Sequence, residues 1–219
     1  MTASTPIEPP CDCPLCPRLV EFREAWQTRE PDWHNAPVPT LYPVQDTDAV
    51  RLLIVGLAPG VRGANRTGRP FTGDYAGDLL YATLHRHGFA NDRFAADPND
   101  GLKLFETAVT NSVRCVPPQN KPVGEEINTC RRFLSATITA LPNLRAIVTL
   151  GRIAHDSTVR TLGLKLKDHA FGHGAQIEAR RYTLFPTYHC SRYNTNTGRL
   201  TEAMFDMVFA NVARFLAES

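Results

Sequence analysis

The chain has no apolar run near the roughly 18–20 residues that a membrane helix needs, so no membrane span is expected. Its opening, MTASTPIEPP, lacks both a basic segment and an apolar one, which argues against a secretory signal and predicts a cytoplasmic location. Net charge is scarce: 24 Lys plus Arg against 22 Asp plus Glu leave a formal +2. Lysine is scarcer still, 4 residues against 20 Arg. Arginine pairs with phosphate in a planar, bidentate way, but a GC-rich genome produces the same bias and carries the larger weight. What is present is an ordinary globular composition, 42% hydrophobic and 21% charged over 219 residues. That length suffices for one domain with a real core, and disorder is not expected as the main state.

Residues 1–17 hold five prolines and three cysteines, a composition that excludes a helix and needs an external clip to become ordered. Residues 1–10 are therefore expected to be a flexible tail, and 11–219 a single domain. A first helix is predicted from Pro17 to Arg29, with Leu19, Phe22 and Trp26 at helical spacing. Beyond a proline-rich loop the pattern alternates. Short apolar runs at 51–56, 107–113, 145–150 and 181–186 read as buried strands. Helical patterns at 73–88, 124–140, 151–162 and 201–216 lie between and after them. Strands alternating with helices predict an α/β fold, a three-layer α/β/α sandwich around a mostly parallel four-stranded sheet. In such sheets ligands bind beyond the carboxyl ends of the strands, which directs attention to residues 56–74, 111–123 and 186–199.

Those segments are GLAPGVRGANRTGRPFTGD, NSVRCVPPQNKPV and PTYHCSRYNTNTGR. They contain Arg62, Arg66, Arg69, Arg114, Lys121, Arg192 and Arg199, seven cations against the single carboxylate of Asp74. On one predicted edge of a nearly neutral protein this is the footprint of a polyanion. Five glycines in the first segment let backbone N–H groups approach a phosphate, although such loops also turn tightly for their own sake.

Together with CDCPLCPRL near the start, GLAPGVRGANRTGRPFTGD, TNSVRCVPPQNKP and YHCSRYNTNTGRLT resemble the motifs of family 5 uracil-DNA glycosylases, the iron–sulfur branch of that superfamily. The resemblance runs from about Cys13 to Thr201, in the family's order. The sister family 4 usually reads GEAPG, with Glu where this chain has Leu57, and the GQDPYH-type enzymes carry a catalytic Asp where this chain has Ala58. With neither polar group, the chain sits with family 5. A uracil-DNA glycosylase-like fold is implied.

Six cysteines in a reducing compartment point to metal or redox chemistry rather than disulfides. Cys13 and Cys16 form a CxxC, and Cys115 and Cys130 are separated by fourteen residues. Four thiolates suit a [4Fe–4S] cluster or a structural zinc, and spacing does not choose between them. The resemblance implies a structural [4Fe–4S] cluster on Cys13, Cys16, Cys115 and Cys130; it would colour the protein brown, whereas zinc would not. Cys11 reads as a spare thiol and Cys190 as an incidental packed one.

A base inside a duplex cannot reach an enzyme pocket, so a glycosylase must flip it out and read its edge and face. Phe71 is the candidate stacking platform, a role the resemblance assigns to it; plain core burial is the alternative. By resemblance Asn111 reads the base edge, with Gly56 and Ala58 also at the base. As a bare feature, an Asn at a strand end is more often a turn former. His189 is implied to donate a hydrogen bond to O2 of the departing uracil. Asp74 is the one carboxylate available to orient or deprotonate water, and it is equally placed to cap the helix that follows. For DNA contact the candidates are Arg62, Arg66, Arg69, Asn120, Lys121, Ser191, Arg192, Tyr193, Asn194 and Arg199, with Arg192 and Tyr193 as minor-groove wedge.

The expected protein is a monomeric DNA repair glycosylase that hydrolyses uracil, and other deaminated bases such as hypoxanthine, from DNA by base flipping. It leaves an abasic site and needs no divalent metal. Lys121 is the only Lys in the three segments and sits beside Pro122, which disfavours lyase chemistry. Two alternatives remain: a uracil-restricted family 4 enzyme, and a non-catalytic iron–sulfur DNA-binding module.

Overall fold

The computed structural model describes residues 7–44 and 46–218. Residues 1–6 of the expected tail lie outside that range.

The apolar runs form strands β1 (Leu52–Gly56), β2 (Thr107–Asn111), β3 (Ala146–Leu150) and β5 (Tyr182–Thr187), every residue of them buried. Side chains alternate across a strand, so each run serves two cores. Leu52 and Ile54 face helices α3 (Tyr75–Arg86) and α7 (Glu202–Ala217), packing with Leu80, Leu84, Val208 and Phe209. Leu53 and Val55 face α4 (Gly124–Thr139) and α5 (Arg152–Thr161), packing with Leu134, Ile138 and Val159. Each such side chain contributes roughly 1.5–3 kcal/mol by leaving water. The result is the expected three-layer α/β/α sandwich.

The sheet has five strands rather than four, in the order β2-β1-β3-β5-β4. The extra strand, β4 (Ile177–Ala179), pairs antiparallel with β5 at the edge. Its three residues are too short to show a period. Its turn places Arg180 at φ +61°, where glycine or asparagine would have been the signal. Two short helices also interrupt segments expected to be irregular, α2 (Ala64–Thr67) and α6 (Arg192–Asn196).

Helix α1 (Pro17–Arg29) is tied on from outside the sandwich. The Arg18 guanidinium reaches the buried Glu126 carboxylate at 2.7 Å, and Glu126 also accepts the Val123 N–H at 2.8 Å, closing the first turn of α4. Glu8 accepts from the buried Arg114 guanidinium at 2.6 Å and from the Thr40 N–H at 3.2 Å. Residue 8 is therefore anchored, which corrects the expectation of a loose tail throughout 1–10. Among the described residues no helix is long and apolar enough to cross a membrane.

Candidate active site

The carboxyl ends of β1, β2 and β5 open on one cavity of about 360 Å³. Ala58, Phe71, Asp74, Asn111, Asn120, His189 and Ser191 all line it, although they are drawn from segments more than a hundred residues apart. Leu57, the position where family 4 carries Glu, lines it too, as do Tyr75 and Ala76, which had no distinguishing mark in the sequence.

Phe71 is held, not merely packed. Its backbone lies at φ +52°, a conformation costly for an aromatic residue. Two neighbours maintain it: the Tyr81 hydroxyl donates to the Pro70 carbonyl at 2.6 Å, and Gly77 has no side chain to obstruct the Phe71 carbonyl. The ring comes so close to Gly56 that a Cβ there would lie 2.8 Å from Cε2. The Asn111 amide presses on the same glycine. Gly56 thus lets a flat ring and an amide edge meet at right places for a planar ligand. Asn111 is 3% exposed, and its Oδ1 has no hydrogen-bond partner among the described residues. A buried acceptor left open in this way costs about 1–3 kcal/mol unless a ligand donates to it.

Asp74 caps a helix and also lines the cavity. Its Oδ1 accepts from the Ala76 N–H at 3.1 Å and caps α3. Its Oδ2 lies over Gly60 and Gly63, where any side chain would collide with it. Burial raises the Asp74 pKa above the ordinary carboxylate value, partly offset by the backbone N–H groups of Gly77 and Ala76. His189 lies across the pocket, its ring centroid 6.0 Å from that of Phe71. Burial lowers its pKa to about 4, so the imidazole is neutral at physiological pH. The Asn194 side-chain amide donates to the His189 carbonyl at 2.8 Å, and the buried Cys190 thiol donates to the Ala76 carbonyl at 3.4 Å. Asn194 therefore braces the loop.

The cationic rim is smaller than the sequence suggested. Arg69 forms a fork with Asp100 at 2.8 and 2.7 Å, and the Asp100 side chain is only 2% exposed. Arg69 is thereby withdrawn from DNA contact, because an acid outside the three segments claims it. The Arg69 guanidinium holds the Asp100 carboxyl well below the usual range. Arg114 is likewise consumed by Glu8 and by Thr137 Oγ1 at 2.9 Å. Arg62, Arg66, Lys121, Arg192 and Arg199 remain exposed. Arg192 lies over the Tyr75 ring at 5.3 Å, and Tyr193 projects with 73% exposure.

Cys13, Cys16, Cys115 and Cys130 line one small apolar cavity with Leu19, Val113 and Phe133, while exposed Cys11 stands outside it. All six cysteines are free thiols. The Arg114 N–H donates to the Cys130 sulfur at 3.3 Å, and the Arg23 guanidinium holds the Cys13 carbonyl at 3.2 Å. Burial pushes the Cys115 thiol up to about 12 and that of Cys130 up to about 11. Among the described residues no three His, Cys, Asp or Glu side chains form a group that could hold a metal ion.

A pocket at the carboxyl edge of a doubly covered, mostly parallel sheet, with Arg192 over its Tyr75 wall, is the ligand-binding arrangement of an α/β enzyme. Residues 43–213 match the model of the uracil DNA glycosylase superfamily. The type-5 uracil-DNA glycosylase of Thermus thermophilus is 44% identical over 92% of this chain and 93% of its own length. That of Mycobacterium leprae is 41% identical over 92% and 90%. The type-4 enzyme of Sulfurisphaera tokodaii is more distant, 29% identical over 72% and 68%. The chain belongs to the type-5 uracil-DNA glycosylases, enzymes that remove uracil from DNA.

Proposed function

We propose that the 360 Å³ pocket receives a flipped uracil and that Asp74 and His189 break its N-glycosidic bond. The observation that carries this is the convergence of Phe71, Asp74, Asn111 and His189, with the Asn111 Oδ1 unpartnered. Phe71 supplies a stacking face. Asn111 accepts the N3–H at Oδ1 and offers its N–H to O4. As the C1′–N1 bond breaks, its electron pair moves onto the base and leaves an oxocarbenium-like sugar. Neutral His189 donates a hydrogen bond to O2, where negative charge collects. Ionised Asp74 faces the cationic sugar, orients the water and takes the proton it loses on adding to C1′; the uracil anion takes up a proton as it leaves, giving free uracil and an abasic site.

Other deaminated bases, hypoxanthine among them, are substrates as well. The support is that Leu57 and Ala58 place no side-chain hydrogen bond at the base, so selection falls on Asn111, and a site with few fixed polar groups discriminates weakly. The four cysteines hold a structural [4Fe–4S] cluster that takes no part in hydrolysis and clips the proline-rich amino terminus to the loop after β2. Their convergence on one cavity supports this. A single zinc needs four thiolates within about 2.3 Å of one point, whereas a four-iron cluster engages each thiolate through its own iron.

Paired uracil and hypoxanthine duplexes test the reading, with EDTA present and iron measured in the same brown preparation. Single-turnover excision should fall about 10²–10³-fold in His189→Ala and by about 10²–10⁴ in Asp74→Asn. The wild-type rate should climb with pH through the raised titration of Asp74, then stay level through neutrality because His189 has already lost its proton near pH 4. Full activity in either variant ends the assignment of that residue, and an intact hypoxanthine strand restricts the enzyme to uracil.

A further inference from the structure

The loop from Lys167 to Gly174 has no part in the chemistry above, yet it is stitched to the strand ends that carry the site. Strand β5 stops at Thr187 because its neighbour β3 has already turned into α5; the last ladder bond is Gly151 N–H to the Thr187 carbonyl at 2.8 Å. The next N–H, that of Tyr188, has no strand to donate to. It donates to Nδ1 of His173 at 3.3 Å, and the Thr187 hydroxyl lies 3.2 Å from the same nitrogen. An acceptor at Nδ1 means that His173 is neutral with its proton on Nε2. The two rings stack at 4.9 Å and 6°, and the Arg199 guanidinium covers the Tyr188 ring at 4.7 Å. Fully buried His155 repeats the device one strand over, meeting Thr149 Oγ1 at 3.3 Å and the His169 carbonyl at 2.8 Å.

We propose that His173 is a positioning residue for His189: by accepting the Tyr188 N–H it sets the backbone from which the His189 ring enters the pocket. Asn194 fixes the carbonyl side of His189, and His173 fixes the amide side one residue earlier. Removing either brace lets the ring drift from the position of O2. The inference rests on the assignment of His189 as the donor to the leaving base.

His173→Phe keeps a ring on Tyr188 and removes the acceptor; His173→Asn removes the ring and places an amide oxygen near the position of Nδ1. With uracil duplex the Phe variant should lose about 10- to 100-fold in single-turnover rate, with its Kd for abasic product DNA unchanged. The Asn variant should stay within about threefold of wild type. A Phe variant at full rate, or an Asn variant as slow as the Phe one, overturns the proposal. Ring ¹⁵N shifts of the wild-type protein give a measure independent of any variant: a proton on Nδ1 of His173 overturns it as well. His189→Ala is run alongside. If it is inactive while His173→Phe is unimpaired, only this inference fails; if it is fully active, the assignment of His189 fails.

Discussion

A methyl group at Gly56 would overlap the Phe71 ring and the Asn111 Oδ1 together, so one hydrogen atom keeps the stacking face and the reading edge in register. Gly56→Ala should therefore cost about 100-fold or more in kcat/KM on uracil, in line with what an ångström of misplacement costs elsewhere, while the melting temperature moves little. Steady-state kinetics beside a thermal scan check this. Much of this scale was legible in the chain. Asp74 stood out as the only carboxylate of three cationic loops; its Oδ1 caps a helix, and its Oδ2 lies against Gly60 and Gly63. The left-handed backbone of Phe71 was not legible, because it is imposed by Tyr81 and Gly77 from the next helix. The lowered pKa of His189 was equally out of reach, since it comes from burial by residues distant in sequence.

Strands and long helices announced themselves because hydrophobic period reports burial directly; the exceptions are instructive. Strand β4 is shorter than its own period requires, and α6 begins inside a segment whose Ser191 N-cap and five residues carry no apolar stripe. Charge on a loop proved a poorer guide than charge on a strand end. Arg69 was counted among the DNA contacts and Arg114 among the seven cations of the predicted edge, but Asp100 and Glu8, outside the three loop segments, neutralise them. Arg69→Met leaves the Asp100 carboxylate without its counter-ion in a buried site, so it should destabilise the protein by about 3–5 kcal/mol in urea unfolding. It should leave the salt dependence of DNA binding as it is. Loss of DNA binding with unchanged stability would restore Arg69 to the interface.

At the scale of the molecule the five cations Arg62, Arg66, Lys121, Arg192 and Arg199 are exposed, and Arg192 lies over Tyr75 of the pocket wall. Each phosphate they neutralise should contribute about 0.9 to the slope of log K against log salt. Single Ala variants at Arg62 or Arg66 should thus reduce the slope by about one without altering which base is excised, as titrations at several salt concentrations would show. A variant that shifts base preference and leaves the slope intact would place its side chain at the base instead. The layered α/β architecture, the functional edge of the sheet and the identity of the chemical groups were already written in the chain, because period, turn residues and motif spacing are local properties. Which arginines are tied up in ion pairs, which acceptor is left open and which histidine is kept neutral were settled only on folding. Those are properties of neighbours, and the neighbours of Asn111, Arg69 and His189 come from distant parts of the chain.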